Sequence, residues 1–135
     1  MGKEKVIGNK SDERWMEIAI HNEEMIAGFF GPYRPLSNFW PAMVEYDGDI
    51  YSTSENAYQA AKFASKDRDI FKTCSAGEAK KLSDAPHRLY IGENWNLLKL
   101  NVMEYVLRQK FSSLNPELVE FLIRTGSKKL IEANW

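Results

Sequence analysis

Residues 43–64 contain a tight turn and a change of periodicity that together limit the possible folds. Met43 to Tyr46 and Ile50 to Tyr51 are short strand-like runs, with Asp47-Gly48-Asp49 between them. Asp-Gly is favoured in a two-residue reversal because both positions need positive φ. The second run ends in hydroxyl residues, and a helical pattern follows from about Thr53 to Ala64. We therefore predict a β-hairpin that leads directly into a helix.

Glu55 stands at the start of that helix and has two possible roles. Positions three, four and seven residues further on share its helix face, so Tyr58, Gln59 and Lys62 form a polar stripe with it. Ser52, three residues earlier, completes the S/T-x-x-E pattern of a capping box, in which Glu55 bonds to a backbone N–H group. The spacing alone favours capping and leaves a functional stripe as the alternative.

The longest predicted helix runs from about Asn94 to Ser112, because apolar residues recur there at steps of three and four. We predict that this stripe packs in the core. Its members are Trp95, Leu98, Val102, Met103, Val106, Leu107 and Phe111.

Shorter elements complete the C-terminal half. Helices are predicted near residues 67–73 and 76–82, and residues 84–92 form a connection. Asn115-Pro116 and Thr125-Gly126 mark the start and the end of a last helix, since Asn suits the N-cap, Pro the first turn and Gly the C-terminal position. A strand or extended segment begins at Leu130 and Ile131.

The N-terminal part predicts a loose arm over residues 1–14 and then a hairpin. The apolar runs Trp15 to Ile20 and Met25 to Phe30 are its strands, with a helix over residues 13–27 as the alternative. Two prolines and a glycine in residues 31–35 predict an irregular loop.

Residues 36–41 read Leu-Ser-Asn-Phe-Trp-Pro and have two interpretations. The pattern favours a turn anchored by Phe39 and Trp40. In the alternative, the segment is a ligand-facing loop in which Asn38 supplies hydrogen bonds beside an aromatic wall.

A few strands followed mostly by helices predict an α+β fold. We expect one predominantly helical domain over residues 15–135, with a small antiparallel hairpin sheet.

The charge balance and the single cysteine limit the partners. Eighteen basic and nineteen acidic residues leave a net charge of -1, which gives no strong signal for nucleic acid, and no segment approaches the roughly 18 apolar residues of a membrane span. Cys74 is expected to be structural rather than a nucleophile served by His21 or His87. With no apolar signal region at the N-terminus, we expect a cytoplasmic protein, and the oligomeric state stays open.

Several segments occur in an order that carries more information than any one of them. The most specific is Thr53-Ser54-Glu55-x-Ala-Tyr-Gln-Ala-x-Lys-Phe. Its companions are Phe30-Gly31, Leu36-Ser37-Asn38-Phe39, Asn94-Trp95 with Lys99 and Met103, Lys110-Phe111, Thr125-Gly126 and Leu130-Ile131-Glu132. Over about residues 28–135 this set resembles the NADAR family of YbiA-like N-glycosidases.

The resemblance implies hydrolysis of the ribose C1–N bond in a phosphorylated ribosyl compound, without a metal or redox cofactor. The implied substrates are a ribosylaminopyrimidine intermediate of riboflavin synthesis or an ADP-ribose adduct of guanine. Glu55 matches the catalytic glutamate, which would stabilise the cationic sugar and position water. Lys62 would contact phosphate or a substrate oxygen and Trp95 the base or sugar; as alternatives they are a surface lysine and a core residue. The implied substrate-binding residues are Gly31, Ser37, Asn38, Phe39, Tyr58, Gln59 and Glu132.

Two departures from the family pattern bear on activity. Asn56 stands where family members usually carry His. The family continues past Leu-Ile-Glu into an Asp-containing stretch with Trp-Gly, whereas this chain stops at Trp135. A truncated form, a diverged protein with weaker chemistry, and a compensating role for Glu132 all stay open. The alternative function is a non-catalytic module that binds ADP-ribose or another nucleotide.

Overall fold

The computed structural model describes residues 24–84 and 91–132. They fall into two compact units, which we call the first unit, described residues 24–37 and 121–132, and the second unit, described residues 38–84 and 91–120. In the two described ranges, no helix combines the length and the apolar character that crossing a bilayer requires. The predicted arm, the strand Trp15 to Ile20, and residues 85–90 of the predicted connection lie outside the described residues.

The first unit contains a small parallel sheet. Strand β1, Met25–Ala27, pairs in parallel with β4, Lys129–Ile131, and the backbone N–H of Gly28 extends the pairing to the Ile131 carbonyl at 2.7 Å. The strand predicted at Leu130 and Ile131 is therefore confirmed. For β1 we predicted an antiparallel hairpin with the run Trp15 to Ile20, which lies outside the described residues. The pairing that the structure describes for β1 is the parallel one with β4.

The segment after β1 is a 3₁₀ helix, Gly31–Leu36, so the predicted irregular loop is wrong. A proline at the start of a helix removes no hydrogen bond, because the first backbone N–H groups have no partner within the helix, and its fixed φ suits the helical region. The N–H of Ser37 closes the last turn on the carbonyl of Arg34 at 2.8 Å.

The second unit begins with the predicted hairpin, which is confirmed. Strands β2, Val44–Tyr46, and β3, Asp49–Tyr51, are antiparallel, with Tyr46 paired to Asp49. The two turn residues have positive φ, 52° at Asp47 and 87° at Gly48, as a two-residue reversal of this kind requires.

After the hairpin, the described residues form four α-helices: α1 is Ser54–Ala61, α2 is Ala76–Ser83, α3 is Trp95–Lys110 and α4 is Pro116–Arg124. The helix predicted near residues 67–73 is instead a pair of 3₁₀ turns, Ser65–Asp67 and Asp69–Phe71. Their N–H groups bond to carbonyls three residues back, and such tight turns are limited to short runs. Helices together with small sheets confirm the predicted α+β class.

The core of the second unit lies around α1, which contacts the hairpin, α2 and α3. Ala57 and Ala60 are fully buried on its inner face, and Phe63 stacks on Phe71 with ring centroids 5.5 Å apart. Small alanines allow this close approach of neighbouring elements. The other buried members are Val44, Tyr51, Ala79, Val102 and Val106.

The predicted apolar stripe of α3 is only partly buried. Val102 and Val106 lie in the core, with Met103 against it, but Leu98 is 49% exposed. Helical spacing identifies one face of α3, and only the part of that face that meets α1 and β2 is covered.

The last helix begins and ends as predicted, with Gly126 at φ 63° after its end. The predicted N-cap residue, Asn115, uses its side chain elsewhere. Its Oδ1 accepts from the N–H of Met43 at 2.9 Å and its Nδ2 donates to the Met43 carbonyl at 2.8 Å. The buried amide therefore ties the start of α4 to the segment before β2.

Candidate functional site

The site is built at the point where β3 leads into α1. Thr53, in extended conformation, is the N-cap, and its Oγ1 accepts from the N–H of Asn56 at 2.9 Å. The predicted capping box of Ser52 and Glu55 is therefore wrong, because the helix starts one residue later than that box needs. The Glu55 side chain has no capping role and is available for other contacts.

Glu55 is buried in the first turn of α1, with 8% of its surface exposed. Its Oε2 accepts a hydrogen bond from Gln59 Nε2 at 2.6 Å, and its backbone N–H donates to the Asn38 carbonyl at 3.1 Å. Glu55 and Gln59, which are four residues apart on α1, are thus in contact. Throughout residues 24–84 and 91–132, no lysine, arginine or histidine forms an ion pair with Glu55.

Ser54 and Asn38 form the second part of the site. Fully buried Ser54 donates from Oγ to Asn38 Oδ1 at 2.7 Å, so the Asn38 amide has one orientation. Its Nδ2 then faces the thioether of Met103 at 3.9 Å, which is a weak acceptor. Asn38 therefore keeps donor capacity beside Glu55. The sequence did not identify Ser54 as part of this site; the signal was the run of hydroxyl residues, which we interpreted as capping.

Lys62, at the far end of the stripe, lies near two aromatic rings that also contact each other. Its Nζ is 5.7 Å from the Tyr58 ring centre and 6.0 Å from that of Trp95, and these rings meet edge to face at 5.2 Å. The Gly92 N–H holds the loop before α3 to the Lys62 carbonyl at 2.9 Å, which brings Trp95 to α1. Trp95 is partly buried, at the border of the core.

The surroundings of Lys62 and Tyr58 change their acidity in opposite directions. Burial lowers the pKa of the Lys62 ammonium, and the nearby carboxylates of Asp84 and Glu55 oppose that shift. Burial, and then Glu55, raises the pKa of the Tyr58 hydroxyl. The stripe therefore pairs a desolvated cation with a phenol that stays neutral.

Asn56, beside Glu55, has a structural role. It is fully buried, its Nδ2 donates to the carbonyls of Phe71 at 2.7 Å and Cys74 at 2.8 Å, and its Oδ1 accepts from Thr53 Oγ1 at 2.6 Å. The neighbouring Cys74 is partly buried, and burial raises the pKa of its thiol, which is consistent with the predicted structural role. His21 and His87 lie outside the described residues.

Seven of the ten predicted site residues lie in the second unit: Glu55, Lys62, Trp95, Asn38, Phe39, Tyr58 and Gln59. The predicted turn in residues 36–41 is confirmed, since residues 38 and 39 form a turn. The Phe39 and Trp40 rings are 48% and 37% exposed.

The other three predicted residues, Gly31, Ser37 and Glu132, lie in the first unit. Gly31 opens the 3₁₀ helix at φ 52°, Ser37 ends it, and Glu132 follows β4 with an exposed side chain. Among the described residues, no group of three or more His, Cys, Asp and Glu could hold a metal ion.

Residues 27–135 match the sequence profile described as the NADAR domain. The chain belongs to the NADAR family. The family resemblance is therefore confirmed, and the candidate site residues lie within the matching range.

Similar proteins include N-glycosidase YbiA of Escherichia coli, 33% identical over 103 residues, and N-glycosidase YbiA of Shigella flexneri, 32% identical over 101 residues. Each match covers 74% of this NADAR chain and 62% of the relative, so the chain spans about three-fifths of these relatives' length. The NMR structure of the E. coli protein YbiA superposes with a TM-score of 0.64 at 30% identity, over 84% of this chain and 72% of that one.

Proposed function

We propose that this chain hydrolyses the N-glycosidic bond between ribose C1 and a base in a phosphorylated ribosyl compound. The observation that carries the proposal is the state of Glu55, a carboxylate in a buried position that is held by the neutral amide of Gln59 rather than by a cation. Such a group is suited to stabilise positive charge on a bound ligand. The N-glycosidase name of the similar proteins supports the same chemistry.

In the proposed reaction, the C1–N bond breaks and its electron pair leaves with the base nitrogen, which takes up a proton. Positive charge then develops on C1 and the ring oxygen, where the Glu55 carboxylate stabilises it. A water molecule positioned by the same carboxylate forms the new C1–O bond and loses a proton. Because water supplies both the oxygen and the proton, the products are the free sugar and the free base.

The neighbouring side chains supply binding contacts in this proposal. Lys62 contacts the phosphate or a polar oxygen of the substrate, with its charge oriented by the Tyr58 and Trp95 rings. Trp95 presents an aromatic wall to the base or the sugar. Asn38, fixed by Ser54, donates from Nδ2 to a substrate acceptor. Phe39 is a further proposed contact.

Two substrates fit the proposed chemistry: a ribosylaminopyrimidine phosphate of riboflavin synthesis and an ADP-ribose adduct of guanine. Both contain a ribose C1–N bond and phosphate. The test is to incubate the protein with each compound and to measure base release by chromatography and binding by calorimetry.

The decisive variant is Glu55→Gln, which keeps the size of the side chain and can still meet Gln59. We expect a folded protein with base release reduced on the order of 10²–10³-fold. The matched control is Glu104→Gln, since the side chain of Glu104 on α3 is 61% exposed. A folded Glu55→Gln protein with wild-type turnover would refute the assignment. Binding of ADP-ribose without any base release by the wild type would identify a non-catalytic binding module instead.

A further inference from the structure

The hydrogen bond to Glu55 fixes the orientation of the Gln59 side-chain amide. Gln59 is 5% exposed, and its hydrogen bond to Glu55 Oε2 is short, at 2.6 Å. An ionised carboxylate only accepts hydrogen bonds, so the NH₂ side of the amide must face Glu55. The carbonyl oxygen, Oε1, therefore faces the other way.

Oε1 of Gln59 is buried and has no hydrogen-bond partner within the described parts of the chain. A buried acceptor without a donor destabilises a folded protein, and native structures contain few of them. Its location on the amide that holds the proposed catalytic carboxylate suggests that a bound ligand supplies the donor.

We propose that Gln59 is a specificity-determining residue whose Oε1 accepts a hydrogen bond from the 2-hydroxyl of the ribose. The inference rests on the proposed function, because it requires ribose C1 to lie beside the Glu55 carboxylate. The two groups nearest to C1 within the sugar are the ring oxygen and the 2-hydroxyl. Only the hydroxyl has a hydrogen to donate, so it is the sugar group that matches the acceptor on the Gln59 amide.

The contact also suits the chemistry of the cationic sugar. A hydrogen bond donated by the 2-hydroxyl increases the electron density on its oxygen, next to the carbon that becomes positive, and such bonds strengthen in the transition state of glycoside hydrolysis. A site with this acceptor takes ribosyl compounds and discriminates against 2-deoxyribosyl compounds, because the deoxy sugar leaves Oε1 unpaired.

The first test measures binding, so it needs no turnover. Ribose 5-phosphate and 2-deoxyribose 5-phosphate are titrated into the wild type, Gln59→Leu, Gln59→Met and Gln109→Leu by calorimetry. Gln109 is a partly buried glutamine on α3 and serves as the matched control. We expect the wild type and the control to prefer the ribose compound about tenfold, and both Gln59 variants to bind the two sugars equally. Thermal melting identifies which Gln59 variant is folded.

The second test compares base release from a ribosyl substrate and from its 2-deoxyribosyl counterpart. The two sugars differ in intrinsic reactivity, but that difference cancels when the ratio of their kcat/KM values is compared between wild type and variant. The ratio should fall by about tenfold or more in Gln59→Met.

The outcomes separate this inference from the proposed function. If both folded Gln59 variants keep the wild-type preference, or if the wild type has none, the Gln59 assignment is overturned even when Glu55-dependent base release is found. If the preference and its loss are observed but no substrate releases a base, the hydrolytic function fails and Gln59 stands as the acceptor of a ribose-binding site.

Discussion

Asn56→Ala tests the hydrogen-bond network that supports the start of α1. The substitution removes three hydrogen bonds of the Asn56 amide, to the carbonyls of Phe71 and Cys74 and from the hydroxyl of Thr53. Each such bond contributes about 1 kcal/mol net, so we expect a loss of about 3 kcal/mol in the free energy of unfolding. That loss is large, because a whole domain is stable by only about 5–15 kcal/mol.

The assay is urea unfolding followed by tryptophan fluorescence and circular dichroism, with the melting temperature expected to fall by roughly 10 °C. Asn101→Ala is the control, since Asn101 is exposed on α3, and its effect should lie within about 0.5 kcal/mol. Asn56→His, which introduces the residue usual in the family, keeps one donor and one acceptor and should cost less than alanine. A loss below about 1 kcal/mol in Asn56→Ala would refute the network as a stabilising element.

Three further predictions follow from the same unit. Because burial lowers the pKa of Lys62, activity should fall as the pH rises through a value below the pKa of a free lysine, while Tyr58, whose pKa is raised, stays neutral. Lys62→Arg should shift this loss of activity to higher pH. A pH–rate profile that is the same in the variant would contradict the role of Lys62. The hydroxyl of Tyr51 is buried without a partner within the described ranges, so Tyr51→Phe should raise the free energy of unfolding by about 1 kcal/mol; a clear destabilisation in urea would contradict this. Ser54→Ala frees the amide of Asn38 and should lower kcat/KM about tenfold while costing about 1 kcal/mol of stability, so a wild-type kcat/KM would exclude the positioning role.

The elements that the sequence predicted correctly are those whose conformation is set by residues close to each other in the chain. Asp47 and Gly48 adopt positive φ because the two-residue turn demands it, and the neighbouring strands then pair with only one register. The long helix α3 and the glycine after α4 follow from periodicity and capping in the same way.

The capping prediction was wrong because two adjacent side chains were able to cap the same helix. Ser52 and Thr53 are both able to cap a helix, and the sequence does not distinguish them. In the folded chain, Thr53 caps α1 while Asn56 bonds to residues 71 and 74, far along the sequence. Likewise, spacing could not tell that Phe39 and Trp40 would be exposed, since exposure depends on which elements cover a turn.

The sequence by itself determined the family, the hairpin, the four α-helices named above and the face that carries Glu55, because these depend on residue order and local backbone preference. The tertiary structure decided what Glu55 does there. Thr53 caps the helix, Gln59 donates a hydrogen bond to the carboxylate, and Ser54 fixes Asn38. Glu55 is therefore a buried carboxylate that forms no ion pair within the described parts of the chain. Hydrogen-bond partners are chosen by which groups burial brings within about 3 Å, and that is a property of the packed chain.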